Sequence, residues 1–544
     1  MWQLNDATQS DYYWKNFEQI LGWVKYWHAE LLSSEDNALI EEFFALPLDA
    51  RKLWLRLSSR KPTWFRSDKL HYADIDNLTQ AQQRLCETNW AQRPPLSLAD
   101  WLQAMTQKEL KQFALAQSAT ITPSATKPKL LKQLASQLAA DQTPPFKAIQ
   151  PLRQQQFQRI LWLFFGHSNS DLSELVKTAL GHVQYENYTI RPRGIFDSKV
   201  ALTQFETLTL WQQSWRDASP PQQQRLIAEL LLWLKQTTLR PQFVGKCSRL
   251  LNSVARQLER QGLFQQALTL YAFSQREPSR EREIRCWLKL GQQQQAQRRY
   301  QAALEQPQSA NETLALQRMG HYFGKPRMRR QQYRAIQQIT APRMATEQLE
   351  YWVLQQYQQQ GWEGLFGENL LPQAVFGLVF WDIIFADIDS AFCQPFQRGP
   401  RDLLSPTFIR KRQRLIARRM RSIQHYPQAV ANRIARLVKT KFGIENPFVV
   451  WRWAQHHALD SWFKRLAPDY WLAIFNRLLD DIRQYRSGFP DLWLWHPELG
   501  TLLVEVKGPK DSLRGNQRHW LAFLAENGLR CGVVDVQFLS TKPS

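Results

Sequence analysis

Three residues near the C-terminal end of the 544-residue chain could do chemistry together: Asp491 in "FPDLWLW", and Glu505 and Lys507 in "LLVEVKGPKDSL". They interrupt strands otherwise built from Leu, Val and Trp, where an unpaired charge is expensive to bury. Strand alternation over 501–507 sends Glu505 and Lys507 to one face and Val504 and Val506 to the other. If 491–495 and 501–507 pair as a hairpin through "HPELG", Asp491 arrives at the same end as Glu505. Carboxylate oxygens hold Mg²⁺ or Mn²⁺, which polarises a phosphate and lowers the pKa of bound water. A lysine can orient that water or neutralise developing negative charge. The set suits phosphodiester hydrolysis, with the backbone carbonyl of Val506 as a further oxygen ligand. The plain alternative is a surface hairpin whose Glu and Lys serve solubility, and the apolar surroundings weigh against it.

The elements around the hairpin support the chemical reading. "SLRGNQRHWLAFLAENG" has helical spacing, with Gln517, Trp520, Leu521 and Leu524 on one stripe. Gly528 stops that helix before a further strand, "RCGVVDVQF". A hairpin, a helix carrying Gln517 and another strand make a PD-(D/E)xK nuclease core. Its wording, "FPDLWLW", "LLVEVKGPKDSL" and "NQRHWL", resembles the VRR-NUC branch of that superfamily. Upstream, "YQQQGWEGLFGENLLPQAVFGLVFWDIIF", "LLDDIRQYRSGFPDL" and the N-terminal "KLWLRLSSRKPTWFRSDKLHYADI" resemble the Fanconi-associated nuclease family.

The resemblance implies more than spacing does. In the family a glutamate of a "GE" motif completes the metal site, here Glu368 in "LFGEN". By itself Glu368 reads as a loop or helix-cap acid. The same pattern makes Asp491 and Glu505 metal ligands and Lys507 catalytic, around Mg²⁺ or Mn²⁺, two ions per site. It implies cutting of branched DNA near a 5′ flap, 5′–3′ exonuclease action of the phosphodiesterase I type, and service in interstrand crosslink repair. One departure is Arg514, which stands where the family has Ser. Another is that no Cys/His cluster precedes residue 50, so the ubiquitin-binding zinc finger of animal members is not expected.

The positioning elements divide into four expected domains, mostly α. Residues 1–95 read as an aromatic-rich helical DNA-binding domain, broken by Pro94 and Pro95. Residues 96–145 suggest two short helices; Thr106 and Glu109 have capping-box spacing, with Leu110, Phe113 and Ala114 on an apolar face. With Lys127, Lys129 and Lys132 opening the second helix, the unit resembles a SAP module that binds DNA. A solvated helical hairpin is the bland alternative. In 146–350, Gly262, Ala267 and Tyr271 recur as Gly291, Ala296 and Tyr300, the pattern of a degenerate tetratricopeptide-like array or of ordinary stacked hairpins. Residues 351–544 form the α/β VRR-NUC nuclease domain.

Charge points to the partner. The 70 Lys and Arg against 48 Asp and Glu give a formal +22, which favours a polyanion. The run "RKRQRLIARRMR" makes Arg410, Lys411, Arg412 and Arg414 candidates for tracking a phosphate backbone, though most such runs are solvated helix faces. A membrane is a poorer partner, since the longest apolar run, 374–386, carries Asp382. The N-terminus shows no signal-peptide pattern, and Cys86, Cys247, Cys286, Cys393 and Cys531 form no CxxC pair. A cytoplasmic, nucleoid-associated protein without structural zinc is expected. Adjacent His456 and His457 point different ways on a helix and make no metal site. Two rival readings are a restriction-type endonuclease, for which no base-reading element stands out, and a non-catalytic DNA-binding scaffold, which would have lost a ligand.

Overall fold

The computed structural model describes residues 12–122, 124–139, 142–167, 184–191, 195–327, 335–342, 349–509 and 511–538. The chain forms two compact units, Met1–Val183 and Gln184–Ser544.

In the first unit, helices Tyr12–Trp27, Ser34–Ala45 and Leu48–Ser58 close around Phe17, Phe43, Trp54, Trp90 and Phe157, all buried to 1% exposure or less. The rings of Phe43 and Phe157 stand 5.5 Å apart and those of Trp54 and Trp90 5.4 Å, both in the edge-on geometry that aromatic quadrupoles favour. A small sheet lies beside them, in the order β1 (Phe65–Arg66), β3 (Ala148–Pro151), β2 (Ala91–Gln92). Between β2 and β3 the chain makes three helices, not the two expected: Leu98–Ala104, Gln107–Ala116 and Lys127–Ala135. They share a core of Trp101, Leu110, Leu130 and Leu134. The capping box is formed: the Thr106 amide donates to Glu109 at 2.8 Å, and the Glu109 amide to the Thr106 hydroxyl at 3.3 Å.

In the second unit, helices Lys199–Asp217 and Pro220–Gln236 lead into a stack of further helices. Pro241–Arg260, Phe264–Phe273, Ser279–Lys289 and Gln293–Glu305 follow one another through tight turns. Gly262 and Gly291 lie in those turns at φ +81° and +73°, which a side chain would strain. Ala267 and Ala296 are fully buried, as are Tyr271 and, within 2%, Tyr300. The repeated Gly, Ala and Tyr thus do repeat a packing unit.

The C-terminal part is a five-stranded sheet, β4-β8-β7-β6-β5, comprising β4 (Gln337–Ala341), β5 (Glu363–Phe366), β6 (Leu492–His496), β7 (Gly500–Lys507) and β8 (Cys531–Phe538). β5, β6 and β7 are antiparallel neighbours, whereas β8 runs parallel to β7 and to β4. One face, through Leu492, Leu494, Val504 and Val506, packs on helix α1 (Leu349–Gln359). The other face, through Leu365, Trp493 and Leu503, meets helix α2 (Leu370–Val379), the helix Pro468–Asp480 and helix α4 (Gly515–Glu526). Trp471 stacks on Trp493 at 6.0 Å beneath them. The basic helix, α3, spans Pro406–His425.

Two expected boundaries move. Strand β3 returns to pair between β1 and β2, and Phe157 completes the N-terminal aromatic core, so the segment beyond 145 belongs there and helices 98–135 are an insertion. At the other junction β4 precedes residue 350 yet is an edge strand of the C-terminal sheet. Tyr188, placed with the repeats by sequence, stacks on Phe392 at 4.0 Å in the C-terminal core. Composition cannot show such returns, because strand pairing is not local.

Candidate active site

Two strand registers meet at one end of the sheet. Leu492 faces Val504 across β6 and β7, and the same register carried back one residue sets Asp491 opposite Glu505. Phe366 faces Leu492 across β5 and β6, and beyond it the amides of Gly367 and Glu368 both donate to the Asp491 carbonyl, at 2.9 and 3.0 Å. An edge strand that the sequence reading did not foresee thereby delivers Glu368 to Asp491. Gly367 is needed there: a Cβ would lie 2.7 Å from the Trp493 indole and from Leu365.

Each acid is held by named donors. The Val506 amide donates to Asp491 Oδ2 at 2.8 Å. Lys507 Nζ donates to Glu505 Oε1 at 2.6 Å. Gln517 Nε2 donates to the same oxygen, while its own Oε1 accepts from the Arg514 amide at 2.8 Å, at the start of α4. The stripe containing Gln517 puts this amide over the sheet while Trp520, Leu521 and Leu524 fill the core. Gln517 thus touches Glu505 directly. Asn369, which the sequence reading passed over, donates from Nδ2 to Glu368 Oε1 at 2.7 Å.

Burial sets the electrostatics. Glu505 is 0% exposed and Asp491 8%. Burial, then the charge of Asp491, pushes the Glu505 carboxyl up to about 8, against the opposing pull of Lys507. Asp491 is raised to about 6, first by burial, with Glu368 and Glu350 adding and the Val506 amide and Lys507 opposing. Burial also raises Glu368, which the Asn369 hydrogen bond, then Arg514 and Lys507, partly offset. Three carboxyls that disfavour one another's ionisation, beside a single ammonium, form a site that a cation would relieve.

Among the described residues no three His, Cys, Asp or Glu side chains form a ready-made cage for an ion. The fit to a hard divalent cation rests on the donor set. It consists of carboxylates without thiolate or imidazole, and Glu505 Oε2 is buried without a hydrogen-bond partner.

The basic candidates separate. Arg412 is not on a DNA-facing surface: its side chain is 0% exposed, pairs with Asp402 at 2.9 Å and donates to the Ile383 carbonyl at 3.0 Å. At i, i+4 and i+8, Arg410, Arg414 and Arg418 lie on one exposed face of α3, with Arg421 a further turn along, and none has an ion pair among the described residues. Lys411 donates to the Asp389 carbonyl at 2.9 Å, and Arg419 pairs with Asp382 at 2.9 Å. In the first unit Lys129 and Lys132 are exposed, whereas Lys127 donates to the Gln103 carbonyl at 2.7 Å. His457 packs against Trp453, ring centroids 4.3 Å apart and tilted.

Fold and site together define a nuclease of the VRR-NUC class. The VRR-NUC domain model matches residues 426–538, and a model described as the FAN1 HTH domain matches 11–92. A Pseudomonas aeruginosa protein named Fanconi-associated nuclease 1 homolog is 30% identical over 97% of this chain and 96% of its own length. The Arabidopsis thaliana homolog is 23% identical over 98% of this chain and 68% of its own. The Caenorhabditis briggsae homolog is 34% identical over 32% of this chain but only 20% of itself. A crystal structure of paFAN1 bound to DNA with a 2-nucleotide 5′ flap and a gap superposes with a TM-score of 0.81 at 28% identity, covering 98% of this chain and 99% of that one. The chain belongs to the Fanconi-associated nuclease family. Glu368 lies outside the matched VRR-NUC segment, and β5 is what joins it to the hairpin.

Proposed function

We propose that this chain hydrolyses phosphodiester bonds in branched DNA with Mg²⁺ or Mn²⁺, two ions per site, cutting near a 5′ flap and degrading from 5′ ends as a phosphodiesterase I type enzyme in interstrand crosslink repair. The observation that carries the reading is the convergence of Glu368, Asp491, Glu505 and Lys507 at one sheet end. Glu368, Asp491, Glu505 and the Val506 carbonyl would hold the cations, which supply a polarised phosphate and an acidified water. The chain's own residues do the rest. Lys507 and Gln517 fix Glu505 through Oε1, and Lys507 stands where it can orient the attacking water or meet charge developing on the phosphate. Arg410, Lys411, Arg414, Arg418 and Arg421 on α3, and Lys129 and Lys132 of the SAP-like unit, supply phosphate contacts that position the duplex. The two paFAN1 structures with 5′-flap DNA support the substrate.

A non-catalytic scaffold is disfavoured because every acid and the lysine of the motif are present. Incubation with labelled 5′-flap, plain duplex and single-stranded DNA, with Mn²⁺ or with EDTA, tests the reading. Flap cutting that needs the metal, and that falls by orders of magnitude in Glu368→Gln, is the expected result. Cleavage in EDTA, or wild-type cutting by Glu368→Gln in excess Mn²⁺, overturns it. Glu498→Gln, in the β6–β7 turn, is the control. Glu363→Gln is not a neutral comparison, since Glu363 pairs with Arg465.

A further inference from the structure

We propose that Asn369 is a positioning residue: its carboxamide ties the Glu368 carboxylate to the turn that presents Asp491, and so holds two cation ligands in one geometry. The inference rests on the reading of Glu368 and Asp491 as ligands. Asn369 Nδ2 donates to Glu368 Oε1 at 2.7 Å. Its Oδ1 accepts from the amides of Gly488 at 2.8 Å and Phe489 at 3.3 Å. Those amides can only donate, so the oxygen must face the turn and the NH₂ must face the carboxylate. One planar amide thus spans two segments far apart in sequence, and Phe489 leads within two residues to Asp491.

The turn has little freedom to adapt. Gly488 has φ +97°, and a Cβ there would lie 2.8 Å from the Asn516 backbone. Four residues beyond Asn369 on α2, Gln373 Nε2 donates to the Arg486 carbonyl at 2.7 Å. Gln373 therefore anchors the same turn without touching Glu368. The pair separates two roles: Gln373 only holds the turn, whereas Asn369 holds the turn and also aims a ligand. Carboxylate ligands are themselves fixed by hydrogen bonds, and loss of such partners costs about 10- to 100-fold in metal affinity.

The test is Mn²⁺ titration of the full chain, followed by the loss of the free-ion electron paramagnetic resonance signal, with flap binding in Ca²⁺ and the melting temperature measured alongside. Asn369→Ala removes both arms of the clamp. Asn369→Ser keeps a hydroxyl beside the turn but is too short to reach the turn and Glu368 at once. Both variants are expected to weaken Mn²⁺ binding about 10-fold or more, with flap binding retained, and cleavage by Asn369→Ala should recover towards wild type in excess Mn²⁺. Gln373→Ala should bind Mn²⁺ like wild type. Wild-type Mn²⁺ affinity in both Asn369 variants overturns the inference, as does an equal loss in Gln373→Ala. If Asn369→Ala melts too early to titrate, the Ser variant decides alone. Wild-type Mn²⁺ affinity and cutting in Glu368→Gln would instead remove the underlying reading of Glu368, a separate outcome.

Discussion

Glu505→Gln is expected to stabilise the metal-free protein while abolishing cleavage. The Glu505 carboxyl is held at about 8, against 4.5 for the free side chain, first by burial and then by Asp491. Between those limits the folded chain keeps a proton that the unfolded chain releases, so stability falls as pH rises, by about 1.4 kcal/mol per pH unit. At pH 7 the burial of this acid beside Asp491 therefore costs the fold on the order of a few kcal/mol. Glutamine removes that cost and still offers an oxygen to Lys507 and Gln517. The gain should vanish near pH 4.5, grow through neutrality and level off above about pH 8. At about 1 °C per kcal/mol for a cooperative unit of this size, the variant should melt a few degrees higher at pH 7 in EDTA. Scanning calorimetry of both full chains across pH 4.5–8.5 reads this directly. Mn²⁺ should raise the wild-type melting temperature, because an ion bound only by the folded state stabilises it, and should do less for the variant. A variant that melts below wild type at pH 7 in EDTA, or by a margin that ignores pH, would refute the reasoning.

Lys507→Ala should lower the single-turnover rate on a 5′ flap with little change in DNA affinity, because one ammonium is few among the chain's 70 basic side chains; a matched loss of binding would make it an anchor instead. Changing Arg410, Arg414, Arg418 and Arg421 together to Gln should flatten the log–log salt dependence of flap binding by roughly 0.9 per lost duplex phosphate contact. An unchanged slope would reassign that face to solvation. Arg412→Gln should leave the slope alone but destabilise the fold by about 3 kcal/mol or more, since it strands the Asp402 carboxylate beside a buried gap; chemical denaturation checks it. Lys129 and Lys132 changed to Gln test the SAP-like unit by the same salt slope.

The sequence by itself determined the local parts. Period-two alternation placed Glu505 and Lys507 on one strand face, helical spacing put Gln517 on the stripe above them, and capping chemistry fixed the helix start at Thr106. The paired Gly, Ala and Tyr marked real turns and buried contacts, because a positive φ and a close helix approach each demand a particular residue type. These features depend on neighbours within a few residues. Glu368 could be named as a ligand only through family resemblance. Its delivery depends on β5, a short edge strand whose partner lies far along the chain, and no local periodicity reports pairing at that distance. The same limit explains the moved boundaries, since β3 and β4 each join a sheet whose other strands are remote. Arg412 and Arg410 sit two residues apart in one basic run, yet one is buried and the other exposed. Composition counts both as positive charge; only the packing of α3 against Asp402 and Ile383 decides which of them can meet a phosphate.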